Sequence, residues 1–214
     1  MSLKLYYFDI AGKGEAIRLA CAYGNLPLDD IRLDRDGFDA LKTSGKLSFG
    51  QLPALQVGEE MLFQSAAIIK YVGKQCGLYP RGGDDMLAAR IDALLDCEAD
   101  LFAGLSASRY AARYGFGFLT PADQAACRAE LNTSVLPRHL SNLELQLANS
   151  QTGWIANTPL PSVADFALVP RLQWLVEPGV NEGISPTLLE GYPLICALIE
   201  KLMALPQVVA YYAK

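Results

Sequence analysis

The amino-acid sequence predicts a chain of two parts, a mixed α/β part followed by an all-helical one. Short strand-like runs occur only before residue 78, whereas apolar residues beyond residue 84 recur at the three-to-four-residue spacing of helices. The stretch between them, LYPRGGD, contains a proline and two glycines and is typical of a linker. We therefore predict domains at residues 1–77 and 85–214, joined by a linker at residues 78–84.

The α/β part contains four predicted strands and three predicted helices. The strands follow from short runs of aliphatic and aromatic residues, at residues 3–8, 28–33, 53–57 and 60–63. The helices follow from helical spacing and stop signals, at residues 15–23, at residues 38–43, and from a capping Ser65 to Gly77. The resulting order, βαβ, α and ββα, is that of a thioredoxin-like domain with one parallel strand pair and one antiparallel hairpin.

The second part contains only predicted helices. Helical spacing covers residues 84–114, 163–176 and 193–204, and a further helix begins at Thr120 with a proline at its first position. Four leucines continue the helical spacing beyond residue 135. Pro137 lies among them and predicts a kink, because proline has no amide hydrogen for the helical ladder.

Composition and charge exclude several classes of function. The net charge of −5 and the pI of about 4.9 argue against a nucleic-acid partner, which requires a basic surface. No apolar run reaches the ~18 residues of a membrane span, and residues 1–4 lead into a strand pattern without a signal-peptide cleavage site. We expect a cytoplasmic protein with no membrane partner.

The five cysteines predict buried free thiols rather than disulfides or a metal site. They are odd in number and widely spaced, and each falls in an apolar helical stretch. No CxxC pair occurs and His139 is the only histidine, which excludes a zinc site and any Ser-His or Cys-His catalysis without His139. No bound metal is expected.

Short motifs spread over the whole chain carry a resemblance to a known family. They are Tyr7-Phe8, Gly12-Lys13-Gly14-Glu15 with Ile17-Arg18, Leu52-Pro53, Gln64-Ser65 and the capping box Ser162-Val163-Ala164-Asp165. Together, in this order, they resemble the cytosolic glutathione transferases, closest to the sigma class. The resemblance implies an enzyme of that family that forms a homodimer and uses glutathione as co-substrate, without a further cofactor.

The resemblance assigns the catalytic role to Tyr7, at the end of the first strand. A free thiol has a pKa of about 8.5, so a hydroxyl that donates a hydrogen bond to the sulfur favours the thiolate. Because side chains alternate along a strand, Tyr6 and Tyr7 face opposite sides, and only one of them can reach the site. The alternative is that Tyr7 is an ordinary strand aromatic residue.

The resemblance also implies which residues hold glutathione. Leu52, before a cis-Pro53, pairs with the cysteinyl backbone like an added strand, whereas a trans proline at an edge strand is the alternative. Gln64 and Ser65, at a helix N-terminus, hold the γ-glutamyl carboxylate. Lys42 pairs with the glycine carboxylate. The remaining matching positions are Phe8, Lys13 in place of a usual Arg, Phe38 in place of a usual Trp, and Gln51 in place of a usual Lys.

Two further residues are implied to act across the dimer interface. Phe49, in a polar loop, matches a position that the family uses as an interface contact; the alternative is that it packs on its own sheet. Asp92, Asp96 and Asp100 share one helix face at i, i+4 and i+8. Exposure to solvent accounts for Asp92, whereas Asp100 is implied to reach the γ-glutamyl ammonium of glutathione in the other subunit.

The second substrate is expected beside the thiol, where an apolar lining would suit small hydrophobic electrophiles. Candidate lining residues are Ile10, Ala11, Gly104, Ser108, Tyr110, Val209 and Tyr212. The predicted function is conjugation of the glutathione thiolate to such electrophiles. The alternatives are glutathione-dependent isomerisation or peroxide reduction at the same site, or a non-catalytic ligand-binding or crystallin-like protein. A thiol oxidoreductase is disfavoured because residues 9–14 contain no cysteine.

Overall fold

The computed structural model describes residues 3–213, and its first part is built on a four-stranded sheet. The strands are β1 (Leu3–Phe8), β2 (Leu28–Leu33), β3 (Ala54–Val57) and β4 (Glu60–Phe63). Their order is β2-β1-β3-β4, in which β1 is parallel to β2 and antiparallel to β3, and β3 is antiparallel to β4. The predicted thioredoxin-like domain is confirmed, and β1 lies inside its sheet with a neighbour on each side.

Three helices complete this part: α1 (Glu15–Tyr23), α2 (Arg35–Thr43) and α3 (Ser65–Cys76). Helix α2 begins earlier than predicted, because Asp34 caps it by accepting a hydrogen bond from the Gly37 amide at 2.8 Å. The prediction that Ser65 is an N-cap is wrong. Gln64 occupies that position with a φ of 68°, and its carbonyl already accepts the first helical bond, from Ile68.

The second part is all-helical, as predicted. Its helices are α4 (Asp85–Arg109), α5 (Pro121–Glu130), α6 (Leu136–Ala148), α7 (Val163–Leu175), α8 (Pro193–Met203) and α9 (Pro206–Tyr212). The short helix α9 is not predicted from the sequence, because seven residues give too little helical spacing. No single helix among residues 3–213 has the length and apolarity to cross a membrane; α8 and α9 meet both criteria only jointly and are bent by 75°.

Two further expectations are modified by the structure. The irregularity predicted at Pro137 is a π-helical turn, Leu131–Val135, which shifts the hydrogen-bond register directly before the proline. The prediction of five buried thiols is wrong, since Cys97 and Cys127 are exposed and only Cys21 is fully buried. Both exposed residues lie on the solvent-facing sides of their helices, α4 and α5, so apolar helical surroundings in the sequence do not ensure burial. All five cysteines are free.

The two parts of the chain pack closely against each other. Helix α1 contacts α3 of its own part, and α7 and α9 of the helical part. At the junction of α3 and α7, Gly73 lies against Val163 without room for a Cβ atom, and the Val163 amide donates to the Leu78 carbonyl at 2.9 Å. Helix α7 is buried over most of its length and forms the centre of the core.

Candidate active site

Tyr6 and Tyr7 point to opposite faces of β1, as alternation along the strand predicts. The Tyr6 hydroxyl donates to Oε1 of Gln56 at 2.9 Å. Tyr7 is only 7% exposed, and its hydroxyl accepts a hydrogen bond from the Lys13 amide at 2.9 Å. Because the backbone supplies this hydrogen, the hydroxyl's own hydrogen is free to be donated to another acceptor.

Two glycines allow the backbone to approach Tyr7 this closely. Gly12 and Gly14 begin and end a 3₁₀ turn between β1 and α1. A Cβ atom on Gly12 would lie 2.5 Å from the Tyr7 hydroxyl oxygen, and one on Gly14 would lie 2.5 Å from Cδ1 of the ring. Gly12 also has a φ of 41°, which residues with side chains rarely adopt. The motif around Lys13 therefore positions the tyrosine.

The surroundings keep Tyr7 protonated at neutral pH. Burial raises the pKa of its hydroxyl, and the nearby Tyr110 acts in the same direction. The hydrogen bond from the Lys13 amide and the charges of Arg171 and Arg18 act against this increase in pKa but do not cancel it. Tyr7 is therefore suited to donate a hydrogen bond to an anion and unsuited to act as a base.

A buried arginine fixes the segment that follows Tyr7. The Nε atom of Arg18 pairs with both carboxylate oxygens of Asp30, at 3.1 and 3.0 Å. Its Nη1 donates to Oε2 of Glu15 at 3.1 Å and to the Ile10 carbonyl at 2.8 Å, and its Nη2 donates to the Phe8 carbonyl at 3.3 Å. The guanidinium thereby ties the end of β1 to α1 and to β2.

The residues predicted to hold the peptide backbone and γ-glutamyl end of glutathione have open hydrogen-bonding groups. The Leu52–Pro53 peptide is cis, as predicted. Leu52 lies outside β3, and its amide and carbonyl make no backbone hydrogen bond with the rest of residues 3–213. Ser65 is the first residue of α3, next to the exposed Gln64, and the amides of the first helical turn point away from the helix.

The residues predicted around the glycine end lie on α2 and on the loop before β3. The rings of Phe8 and Phe38 are in contact, with centroids 5.3 Å apart. The side chain of Lys42 passes close to Gly50, the residue that precedes Gln51 in the chain. It forms no ion pair within the described part of the chain. The side chain of Lys13 is exposed, as is that of Lys42. What Lys13 supplies directly to Tyr7 is its backbone amide.

The residues predicted at the dimer interface lie at the surface. Asp100 is exposed and forms no ion pair with residues 3–213. Phe49 is 60% exposed, although its ring makes an edge-to-face contact with the Phe63 ring, with centroids 5.7 Å apart. The expectation that Asp92 simply faces solvent is wrong, because it accepts a hydrogen bond from the Tyr79 hydroxyl at 2.9 Å and pairs with Lys70 at 3.5 Å.

Only some of the candidate lining residues for the second substrate are available for that role. Gly104 faces Leu131, and the Ser108 hydroxyl accepts from Nε of Arg128 at 2.5 Å, so both residues are turned towards neighbouring helices and their assignment is wrong. Tyr212 donates its hydroxyl hydrogen to Oε1 of Glu15 at 2.9 Å. The exposed candidates are Ile10, Ala11, Tyr110, Val209 and, despite this hydrogen bond, Tyr212.

The sequence does not identify a second buried arginine near Tyr7. Arg171 of α7 donates from Nε to Oε1 of Glu98 on α4 at 3.1 Å. Its guanidinium carbon lies 4.0 Å from the ring centroid of Phe102 and 4.6 Å from that of Trp174. One signal in the sequence could have identified it: Arg171 is the one basic residue in the largely apolar segment ADFALVPRLQWL.

The fold and this site define a class: a two-domain protein whose thioredoxin-like domain buries a protonated tyrosine beside an all-helical domain. Models of the glutathione S-transferase N-terminal and C-terminal domains match residues 3–74 and 115–214. Glutathione S-transferase 1 of Ascaris suum is 34% identical over 212 residues, which cover 99% of this chain and 95% of that relative. The chain belongs to the glutathione S-transferase family and is a glutathione transferase, as the resemblance predicts.

Solved structures with the same fold extend over the whole chain. Prostaglandin synthase D of Nilaparvata lugens has a TM-score of 0.85 and 26% identity, covering 100% of this chain and 98% of its own. A monomeric glutathione S-transferase of Necator americanus, Na-GST-3, has a TM-score of 0.78 and 25% identity, covering 100% of this chain and 97% of its own. Both have the two-domain architecture described above.

Proposed function

We propose that this transferase conjugates glutathione to small hydrophobic electrophiles, with Tyr7 as the catalytic residue. The observation that carries this proposal is the state of the Tyr7 hydroxyl, which is buried, protonated at neutral pH and free to donate because it already accepts from Lys13. A hydrogen bond to the sulfur stabilises the thiolate, and the thiol proton leaves to solvent. With an aryl halide, the C–S bond forms, the C–halogen bond breaks and halide leaves.

Glutathione is oriented by groups along the edge of the first domain, with no other cofactor. The free amide and carbonyl of Leu52 pair with the cysteinyl backbone, as an added strand would. The amides of the first turn of α3 and the Ser65 hydroxyl bind the γ-glutamyl carboxylate at the positive end of the helix. The ammonium of Lys42, free of other carboxylates within residues 3–213, pairs with the glycine carboxylate.

The test of Tyr7 compares Tyr7→Phe with Tyr6→Phe. Each variant loses one tyrosine hydroxyl of β1, on opposite faces of the strand. Tyr7→Phe keeps the ring and removes the donor, so conjugation of a chromogenic aryl halide should fall on the order of 100-fold while glutathione still binds. The thiol pKa of bound glutathione, followed by thiolate absorbance, should rise towards the ~8.5 of a free thiol. Tyr6→Phe, whose hydroxyl pairs with Gln56 on the other face, is the control and should behave as the native enzyme. An unchanged thiol pKa in Tyr7→Phe would exclude Tyr7 as the activator.

We further propose a cytoplasmic homodimer, in which Asp100 completes the glutathione site of the partner subunit. Its support is an exposed carboxylate without a partner in the described chain, an exposed aromatic ring at Phe49, and free cysteines that suit a reducing compartment. We expect a dimer at micromolar concentration by sedimentation, and a weaker one in Phe49→Ser.

Mixed dimers test whether Asp100 acts across the interface. If it does, a heterodimer of Tyr7→Phe and Asp100→Ala subunits has both lesions in one site and keeps about half of the native activity from the other. Activity no higher than that of the parent variants would place Asp100 in its own subunit's site. A native monomer, as described for the Necator relative, would contradict the dimer itself.

Glutathione-dependent isomerisation is the second candidate, and the likeness to a prostaglandin synthase D favours it. The two activities differ in what becomes of glutathione, since conjugation consumes one glutathione per product and isomerisation releases it unchanged. We expect free thiol to disappear in step with the electrophile. Turnover without loss of thiol would favour the isomerase.

A further inference from the structure

Arg171 is buried, yet its hydrogen-bonding capacity is largely unused. The residue is 7% exposed, and within the described chain only its Nε has a partner, Glu98. Thr158 is the only residue among 3–213 with a fully buried side-chain polar atom that lacks a partner. Nη1 and Nη2 of Arg171 therefore still reach solvent-accessible space. A side chain that is nine-tenths buried thus presents the free edge of its guanidinium to an opening.

The orientation of this guanidinium is fixed before any ligand arrives. Its carbon lies in the corner formed by the tilted rings of Phe102 and Trp174, at 4.0 and 4.6 Å from their centroids, and Glu98 holds Nε at 3.1 Å. A planar guanidinium held in this way loses little conformational freedom when it binds a planar acceptor. The arrangement is that of a preorganised anion site rather than of a flexible surface arginine.

Arg171 lies next to the proposed thiolate site. Its helix, α7, packs directly against the Gly12–Gly14 turn whose Lys13 amide holds the Tyr7 hydroxyl. Burial raises the pKa of Tyr7 and the charge of Arg171 opposes that increase, which reflects their proximity. Arg171 and the Tyr7 hydroxyl therefore belong to the same neighbourhood, where α7 meets the Gly12–Gly14 turn.

We propose that Arg171 determines specificity in the second-substrate site, and that its free edge binds a carboxylate on the electrophile. This inference rests on the proposed conjugating function. A carboxylate accepts two parallel hydrogen bonds from a guanidinium fork. A substrate carboxylate would therefore supply the acceptor that Nη1 and Nη2 lack. The substrate class is an apolar electrophile with one carboxylate remote from the reacting carbon. A wholly neutral electrophile without an acceptor at this position would leave Nη1 and Nη2 without a protein or substrate partner.

The experiment compares two electrophiles of similar shape, the para-carboxylate of benzylideneacetone and the methyl ester of the same compound. In both, the glutathione sulfur adds to the β-carbon, the C=C π bond breaks, and the resulting enolate takes a proton from solvent, so no group leaves. Loss of enone absorbance measures kcat/KM. We expect the native enzyme to favour the carboxylate by about tenfold, the value of one charge-assisted contact.

The test variant is the double substitution Arg171→Met with Glu98→Gln, which removes the guanidinium without leaving an unpaired buried carboxylate. The preference for the carboxylate should disappear, because kcat/KM for the carboxylate falls about tenfold more than kcat/KM for the ester. Arg109→Met is the matched control. Arg109 also lies over the Trp174 ring, at 5.3 Å, but it is exposed and donates to the Val180 carbonyl. This control should keep the full preference.

Three outcomes would overturn the inference. Equal kcat/KM for the two electrophiles in the native enzyme would do so without any variant, so the test survives even if the double variant does not fold. Retention of the preference in the folded double variant would also do so. An equal loss for both electrophiles, with a raised thiol pKa of bound glutathione, would show that Arg171 acts through Tyr7. If the native enzyme conjugates neither these enones nor an aryl halide, the proposed function itself fails.

Discussion

Two buried arginines lie close to Tyr7, and they differ in how fully they are bonded. Arg18 is 2% exposed, and every nitrogen of its guanidinium has a partner, supplied by two carboxylates and two backbone carbonyls. Within residues 3–213, Arg171 makes a single hydrogen bond, to Glu98. Arg18 has almost no donor left for a ligand and mainly holds the fold, whereas Arg171 has donors to offer. The degree of bonding, rather than burial, separates the structural charge from the one available to a substrate.

The largest effect that this comparison predicts is on stability, at Arg18. Arg18→Met leaves Glu15 without its cation and leaves the Phe8 and Ile10 carbonyls without their donors. We therefore expect a loss of about 3–5 kcal/mol in the free energy of unfolding. Urea denaturation followed by circular dichroism measures it. A loss below about 1 kcal/mol would mean that the hydrogen bonds and ion pairs of Arg18 contribute little to stability.

Arg171→Met should cost less, because only Glu98 loses a partner. We expect a loss of about 1–3 kcal/mol in the same urea experiment, and recovery of most of it when Glu98→Gln is added. The recovery distinguishes an uncompensated carboxylate from lost packing on Phe102 and Trp174. If Arg171→Met destabilises the protein as much as Arg18→Met does, the contrast between the two arginines would no longer hold.

The smallest predicted effect concerns the outer end of the Arg18 network, at the C-terminal helix. Tyr212→Phe removes the donor to Glu15 and should cost about 1 kcal/mol of the free energy of unfolding. Tyr211→Phe is the control, because the Tyr211 hydroxyl has no hydrogen-bond partner among residues 3–213. Equal losses in the two variants would assign the effect to packing instead of the hydrogen bond.

The pH dependence of the Tyr212 contribution has a definite sign. Burial, together with the charge of Glu15, raises the pKa of the Tyr212 hydroxyl. A raised pKa in the folded state gives a stabilisation that is fully present below the unfolded pKa of about 10 and is lost as the pH rises through the folded value. The difference between native enzyme and Tyr212→Phe should therefore stay constant from about pH 6 to pH 9.

The features that the sequence predicted well are set by neighbouring residues. Tyr6 and Tyr7 lie on opposite faces of β1 because side chains alternate along a strand, and the glycines that pack on Tyr7 lie only a few positions away. The pairing of Arg171 with Glu98 joins residues 73 positions apart, on two helices whose relative placement no local pattern encodes. The same limit explains Gly104 and Ser108, whose helix was identified correctly but whose exposed side was not.

The capping residue of α3 shows a different limit. Ser65 has a side chain typical of an N-cap, but backbone conformation decides which residue is the cap. The turn after β4 gives Gln64 a positive φ, so Gln64 is the N-cap and Ser65 is already the first residue of the helix. Exposure of Cys97 and Cys127 likewise depends on which helix faces are covered. Both are decided by packing between elements, which the local sequence does not specify.

The close contact between Gly73 and Val163 limits which relatives can be recombined with this enzyme at the boundary between its two parts. Recombination that joins the sheet half of one relative to the helical half of another brings together an α3 and an α7 that have not been matched before. Because Val163 occupies the space of a Cβ at position 73, any donor whose α3 has a larger residue there would force the two halves apart. A single glycine thus limits which crossovers between genes of this family yield a folded chimaera with this helical half.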